Sequence, residues 1–381
     1  MASRRVAVIG AGVIGSNIAY RLSASGADVA VFEAGRPGEG TSSTSISWLS
    51  SFPQIANSTP TIVAYRRGTN DRFRALEAEI GGSWMHWTGT LTWGTGPAAE
   101  RLSRDYAAMR DLDCAVRTVA PHELAELDPA IAIADDVTIY LEDGGGWVDA
   151  PALVGALLSA AAERGADIHT SEAVTGLEHR RGGWRVITAA GEFAADVVVN
   201  AAGIWASSVA ALAIAPVPVD LRPGLVVYSA PLAEPLRNVL NGPEINVRPD
   251  PSGGVAIHWR GEDTYTGHGY NAADPQKVLD LAGTILPELR GATPARAAVG
   301  IRPVPPGGPV VGWHPSADGL FIAVSHGGVG WGPRWGDIAA AAILDGGEDP
   351  RWGAFSPARF FRTPEAPAPA DRVPALVPAQ M

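Results

Sequence analysis

The chain of 381 residues predicts an α/β protein, α+β taken whole: a Rossmann-like nucleotide-binding domain joined to a domain built mainly on an antiparallel sheet. Three observations carry this. A glycine triplet lies between a strand-like run and a helix-like one in residues 5–25. Two later apolar runs, 196–200 and 319–325, each end in a turn of small residues. Between Pro216 and Gly267, short β runs alternate with Pro/Gly turns, the pattern of hairpins rather than crossovers.

Arg5-Val-Ala-Val-Ile9 is a short, β-branched apolar run after its leading arginine, the pattern of a buried parallel strand. It runs into Gly10-Ala-Gly12-Val-Ile-Gly15, after which Ser16 to Ser25 reads as a helix stopped by Gly26. A second strand, Asp28 to Glu33, closes the unit with an acid at its end. In such a unit the first glycine permits a tight turn and the second lets backbone approach a pyrophosphate. The third packs helix on strand, and the helix N-terminus attracts phosphate. Glu33 follows Gly15 by 18 residues, where its carboxylate can accept from ribose hydroxyls. An acid there favours an unphosphorylated ribose, so FAD or NAD over NADP.

Several later segments bear on that choice. Thr41-Ser42-Ser43-Thr44-Ser45 predicts a helix-like turn or a plain polar loop before Ile46-Ser-Trp48. Asp196-Val-Val-Val-Asn200 is a buried strand ending at Ala201-Ala202-Gly203, small enough for a ligand to approach the sheet edge. Gly319 to Ser325 is a strand leading into His326-Gly-Gly-Val-Gly330-Trp331, with a helix expected from about Asp337 to Leu344. A nicotinamide domain has no need of that late glycine cluster. Elsewhere, Thr61–Ile80 has helical spacing, with Ile62, Tyr65, Phe73, Leu76 and Ile80 on one face. Trp84–Trp93 reads as a strand pair, and Leu225–Tyr228, Ile245–Val247 and Val255–Trp259 as strands of the second domain. Residues 362–381 are half Ala and Pro and predict a disordered tail.

Composition excludes other classes. The net charge of −11 argues against nucleic acid and against an anionic membrane surface. No apolar run reaches the length of a membrane span. One cysteine, Cys114, excludes an internal disulfide, a multi-cysteine zinc site and an iron–sulfur cluster. Lys277 is the single lysine. A start of Met-Ala-Ser-Arg-Arg running straight into a strand reads as mature cytoplasmic protein.

Four segments together, Val6–Glu33, Gly40–Ser47, Gly146–Gly203 and Gly300–Gly347, resemble the flavoprotein amino-acid oxidase family that includes D-amino acid oxidase, glycine oxidase and monomeric sarcosine oxidase. The resemblance implies a discontinuous FAD-binding domain from 1–60, 146–215 and 300–361, and a substrate domain from 61–145 and 216–299. It implies FAD contacts at Gly10, Gly12, Gly15, Glu33 and the neighbouring Arg36, at Thr41 and Ser42, and at Val174 beside adenine. Ala202 and Gly203 match the turn beside the pyrophosphate, and Gly327, Gly328, Val329 and Gly330 the loop at the flavin's pyrimidine end.

For the substrate, Arg302 in Gly300-Ile-Arg302-Pro303 corresponds to an arginine that holds a carboxylate, with a salt bridge between domains as the structural alternative. His326, His258, Tyr228 and Tyr265 are candidate polar groups, and Trp48, Trp331 and Trp335 candidate walls. The chemistry implied is hydride transfer from an amino acid or secondary amine to flavin N5, giving an imine, with electrons passing to oxygen or another acceptor. Family members that tether FAD use a cysteine at the place of Gly300 or a histidine within 41–47. This chain has neither, which implies noncovalent FAD. Lys277 does not match the lysine that activates oxygen in sarcosine-type members. An oxidase and a dehydrogenase both fit. An NAD-linked dehydrogenase and a non-catalytic flavin-binding partner are the alternatives outside that reading.

Overall fold

The computed structural model describes residues 3–51, 62–63, 66, 68–134, 136–260, 269–347 and 350–361. Tyr65, Tyr265 and the expected tail at 362–381 lie outside them. The first sheet has six strands, in the order 310–313, 320–324, 197–200, 5–9, 28–33, 167–170. All neighbours are parallel except the edge strand Val310–Trp313. Its centre is the predicted unit: β1 (Arg5–Ile9), α1 (Val13–Ala24) and β2 (Asp28–Glu33). Alternation along β1 explains why every position after the exposed Arg5 is apolar. Val6 and Val8 face a helical layer, while Ala7 and Ile9 face a core under the three-stranded sheet of 174–180, 183–188 and 192–195.

The helical layer is α1, the helix Ala150–Ala162 and the helix Gly328–Ala340. The last begins nine residues before the expected Asp337, because its glycines are packing residues rather than breakers. Gly328, Gly332 and Gly336 recur every four residues on the face toward α1. A Cβ at Gly328 would sit 2.9 Å from Ile14 Cδ1, at Gly332 2.6 Å from Asn17 Nδ2, and at Gly336 2.9 Å from the Asn17 carbonyl. The two helices therefore touch nearly backbone to backbone, and both N-termini end at the same sheet edge.

The second sheet has eight strands, in the order 296–304, 220–228, 255–259, 245–249, 239–241, 90–93, 139–142, 116–119. Each described pair is antiparallel except 239–241 with 90–93. One face carries Leu225, Val227, Val247, Ile257 and Val299 against the helix Asp274–Gly283. The opposite face carries Gly224, Val226, Asn246, His258, Gly300 and Arg302. Strand Arg296–Val304 runs across the boundary expected at 299/300, since its ladder with Asp220–Tyr228 continues from Arg296 to Val304. Met85–His86 and Thr90–Trp93 are both strands, yet they do not pair: the first joins a small sheet with 146–148 and 48–49.

The helix contact yields a test. Gly336→Val forces a side chain against Arg21 Cγ at 2.8 Å and the Asn17 carbonyl, overpacking that should cost about 1–3 kcal/mol. Thermal unfolding should show the loss. Gly155→Ala, on the exposed side of its helix with open space around its Cβ, should be neutral or stabilise by up to about 1 kcal/mol.

Candidate active site

Between the two sheets runs one cavity of about 1050 Å³. Its walls come from the carboxyl ends of β1 and β2, the Thr41–Ser50 segment, the turn after 197–200, the start of the Gly328 helix and the open face of the eight-stranded sheet. Of the residues expected to touch the cofactor, Gly10, Gly12, Glu33, Arg36, Thr41, Ser42, Val174, Ala202, Gly203, Gly327, Gly328, Val329 and Gly330 all line it. Gly15 does not: its Cβ would fall 1.9 Å from the Gly10 carbonyl, so it serves the helix–strand packing.

Gly10 adopts φ +100°, and a Cβ there would meet the Ala201 carbonyl at 2.6 Å. The turn thus fits only without a side chain. Gly12 caps α1, and Val13 N donates to Ser42 Oγ at 3.2 Å, which fastens the polar loop over the helix start. The Thr41–Thr44 stretch is a single 3₁₀ turn. Thr41 Oγ1 donates to the Ile301 carbonyl at 2.5 Å, so this loop ties the first sheet to the second. Glu33 accepts from Ala11 N at 2.8 Å and Gly35 N at 2.9 Å, one bond to each carboxylate oxygen. It stands at the cavity wall as an acceptor with lone pairs left for ribose hydroxyls. Apolar walls beside it come from Val174, Val209 and Leu212. Buried Asn200 shapes the next turn, donating to the Ala206 carbonyl at 2.8 Å and accepting from Ala202 N at 3.3 Å. Arg36 is largely exposed and pairs with Glu39 at 2.8 Å.

At the far end the sheet brings Arg302, His258 and His326 together. Arg302 Nη2 donates to the Pro223 carbonyl at 2.7 Å and Nε to the Arg222 carbonyl at 3.2 Å, bonds that fix the guanidinium against the neighbouring strand. Gly224 makes room: a Cβ there would lie 3.3 Å from Arg302 Cζ and 3.2 Å from His258 Nε2. Burial, then the charges of Arg302 and Arg260 and nearby His326, push His258 down to about 3. Burial, then Arg302 and Arg66, push His326 down to about 4. By accessible surface both are only half-buried, because they line the cavity. Both imidazoles are therefore neutral at neutral pH.

Tyr228 is not among the lining residues. Strand alternation puts it on the same face as Val226 but two residues farther along, buried with Ala256 and Ile46 under the Arg296 guanidinium, 3.7 Å over its ring. Trp48 and Trp331 line the cavity, the first anchored by Nε1 to Thr90 Oγ1 at 3.0 Å. Trp335 is fully buried in the core behind the helix. Sequence reasoning missed Arg66, which lies 4.8 Å over the Trp331 ring, and Asn246 and Gly224 on the sheet face. Alternation from His258 and Arg302 would have found the last two; Arg66 carries no local signal.

The residues fit FAD. The cavity is long enough to join a nucleotide end at Glu33 to a polar end at Arg302, and two helix N-termini open into it. Gly300 could not carry a tethering cysteine without a shift, since its Cβ would lie 2.6 Å from the Thr44 carbonyl. Cys114 sits in a separate cluster with Tyr106 and Met109, and Lys277 stacks 4.3 Å over Trp259 behind the sheet. Among the described residues, no group of three His, Cys, Asp or Glu could hold a metal ion. No helix among them is long and apolar enough to cross a membrane.

A dinucleotide cleft continuous with a polar pocket of this kind defines a flavin-dependent oxidoreductase that holds its FAD noncovalently. The chain belongs to the DAO family, FAD dependent oxidoreductase, whose model matches residues 5–342. It is 28% identical over 331 residues to the glycine oxidase of Geobacillus kaustophilus (strain HTA426), covering 84% of this chain and 87% of that one. The crystal structure of glycine oxidase from Geobacillus kaustophilus superposes with a TM-score of 0.83 at 27% identity, covering 94% of this chain and 99% of that one. A D-amino acid dehydrogenase of Neisseria meningitidis serogroup C (strain 053442) is 26% identical over 302 residues, 74% of this chain and 69% of the other.

Two outcomes follow for the site. Glu33→Gln removes a charged acceptor and should weaken FAD binding by about 1.5–3 kcal/mol, measured by flavin titration of the apoprotein. The histidines set a pH dependence. Their folded values lie below the ordinary one near 6.5, so the unfolded chain takes up protons first. Stability is full above about pH 6.5 and falls as pH drops toward 4. His258→Gln should flatten that fall in unfolding midpoints taken across the range.

Proposed function

We propose that the enzyme oxidises the C–N bond of an amino acid or a related secondary amine, with Arg302 holding the substrate carboxylate. One observation carries the substrate assignment: a guanidinium fixed to two backbone carbonyls, flanked by two neutral imidazoles, in the cavity that also reaches Glu33 and the glycine turn. FAD, when bound, supplies the two-electron acceptor for a hydride from the substrate α-carbon. The chain's own task is placement. A bidentate grip on the carboxylate fixes the α-carbon to within one bond of the anchor. Neutral His258 and His326 act there as hydrogen-bonding walls, and Trp48, Val226 and Trp331 exclude water. A substrate that enters with its amine neutral needs no side chain as general base.

The product is an imine, which water hydrolyses after release. Electrons leave to oxygen or another small acceptor, a choice the named relatives divide between oxidase and dehydrogenase. A cytoplasmic setting fits the lone cysteine. Membership in an FAD family sets the NAD-linked alternative aside.

The test is anaerobic bleaching of bound flavin by D- and L-amino acids, glycine, N-methyl and cyclic imino acids. No bleaching by any of them would return the chain to a non-catalytic flavin-binding role. Arg302→Ala should cost about 1.5–3 kcal/mol in kcat/KM for carboxylate substrates. Arg302→Lys should recover only part, because an ammonium cannot make the paired bonds. An unchanged kcat/KM in both would remove Arg302 from the site.

A further inference from the structure

A smaller pocket of about 100 Å³ lies on the other side of His326. His326 lines both this pocket and the large cavity. Strand register places it beside the reaction end, since Arg222 pairs with Arg302 and the next facing pair, Asp220 with Val304, forms its wall. The rest of the wall is Val304-Pro305-Pro306-Gly307-Gly308-Pro309. Three prolines fix φ and remove three N–H donors. The loop's acceptors are also engaged. Arg359 donates to the carbonyls of Pro306 at 3.1 Å, Gly308 at 2.7 Å and Pro309 at 2.7 Å. One guanidinium thereby stiffens the loop and consumes acceptors that would otherwise order water in the pocket. Asp220 and Arg222 are exposed, so the pocket meets the surface between them.

We propose that this pocket is a second entrance to the reaction end of the cavity, partitioned by His326, and that it admits dioxygen. The proposal rests on the amine-oxidising reading, which leaves a reduced cofactor to be reoxidised. Two electrons and one proton held by that cofactor, with one further proton from water, pass to dioxygen and give hydrogen peroxide. The O–O bond stays intact and the cofactor returns to its oxidised form. Size and chemistry select the ligand. The pocket has the volume of about three liquid waters, too little for an amino acid beside its hydration shell. The 304–309 wall is valine, proline and glycine with carbonyls engaged, which suits an apolar diatomic. Charged Asp220 and Arg222 stand where the pocket meets the surface, and His326 where it meets the large cavity. Separate doors would let dioxygen arrive while organic product still occupies the larger one.

Val304→Phe fills the pocket and leaves every residue assigned to cofactor or substrate unchanged; of those, only His326 lines the space that it fills. Holoenzyme reduced by light, with no substrate present, is mixed with dissolved oxygen and its reoxidation followed. The variant should reoxidise about tenfold more slowly, while anaerobic reduction by an amine substrate keeps its wild-type rate. Xenon pressed into crystals of the holoenzyme should give density between His326 and Val304 in the wild type and none in the variant. Wild-type reoxidation in Val304→Phe, equal slowing of both half-reactions, or an empty pocket under xenon would each overturn the proposal. Because light replaces substrate in the first arm, failure of the amine reading leaves this result readable.

Discussion

The active site depends on one contact, the close crossing of α1 with the Gly328 helix. Three glycines at four-residue spacing let these helices approach without side chains between them. The crossing brings the start of each to the same edge of one parallel sheet. Partial positive charge from two helix ends then faces a single cleft, where one helix alone would serve only a phosphate. Loosening that contact would leave both sheets intact but would separate the two halves of the cofactor site.

The second constraint is the join between the sheets. Thr41 reaches the Ile301 carbonyl, and Gly300 lies flat against Thr44. Both belong to segments that also wall the cavity, so the join and the site are the same structure. This explains why strand 296–304 belongs at once to the sheet of the substrate side and to the cofactor's surroundings. A domain boundary drawn through it divides the sequence more cleanly than it divides the molecule.

Much of this was legible from residue order. The β1–α1–β2 unit announces itself because strand, glycines, helix and acid must all occur in one register, and chance rarely supplies that. Strand alternation likewise exposed the hairpins of the second sheet. What failed was local. The Gly328 helix was read as starting nine residues late, because glycine and Pro333 lower helix propensity, whereas here close packing against α1 outweighs that cost. Tyr228 was expected at the substrate because its strand is the right one; its position along the strand, two residues beyond Val226, put it under Arg296 instead. Arg66 could not have been found, since its place over Trp331 is set by a tertiary contact far along the chain.

Glu33 combines two tasks that are often kept apart. It lines the cavity with lone pairs open to ribose hydroxyls, and its two oxygens also hold the turns at Ala11 and Gly35 in place. Exchanging it for a residue that welcomes a 2′-phosphate would release both turns before any new cofactor could be gained. A single exchange at Glu33 therefore alters the scaffold together with the recognition. The chain's cofactor identity is locked by the scaffold as much as by recognition.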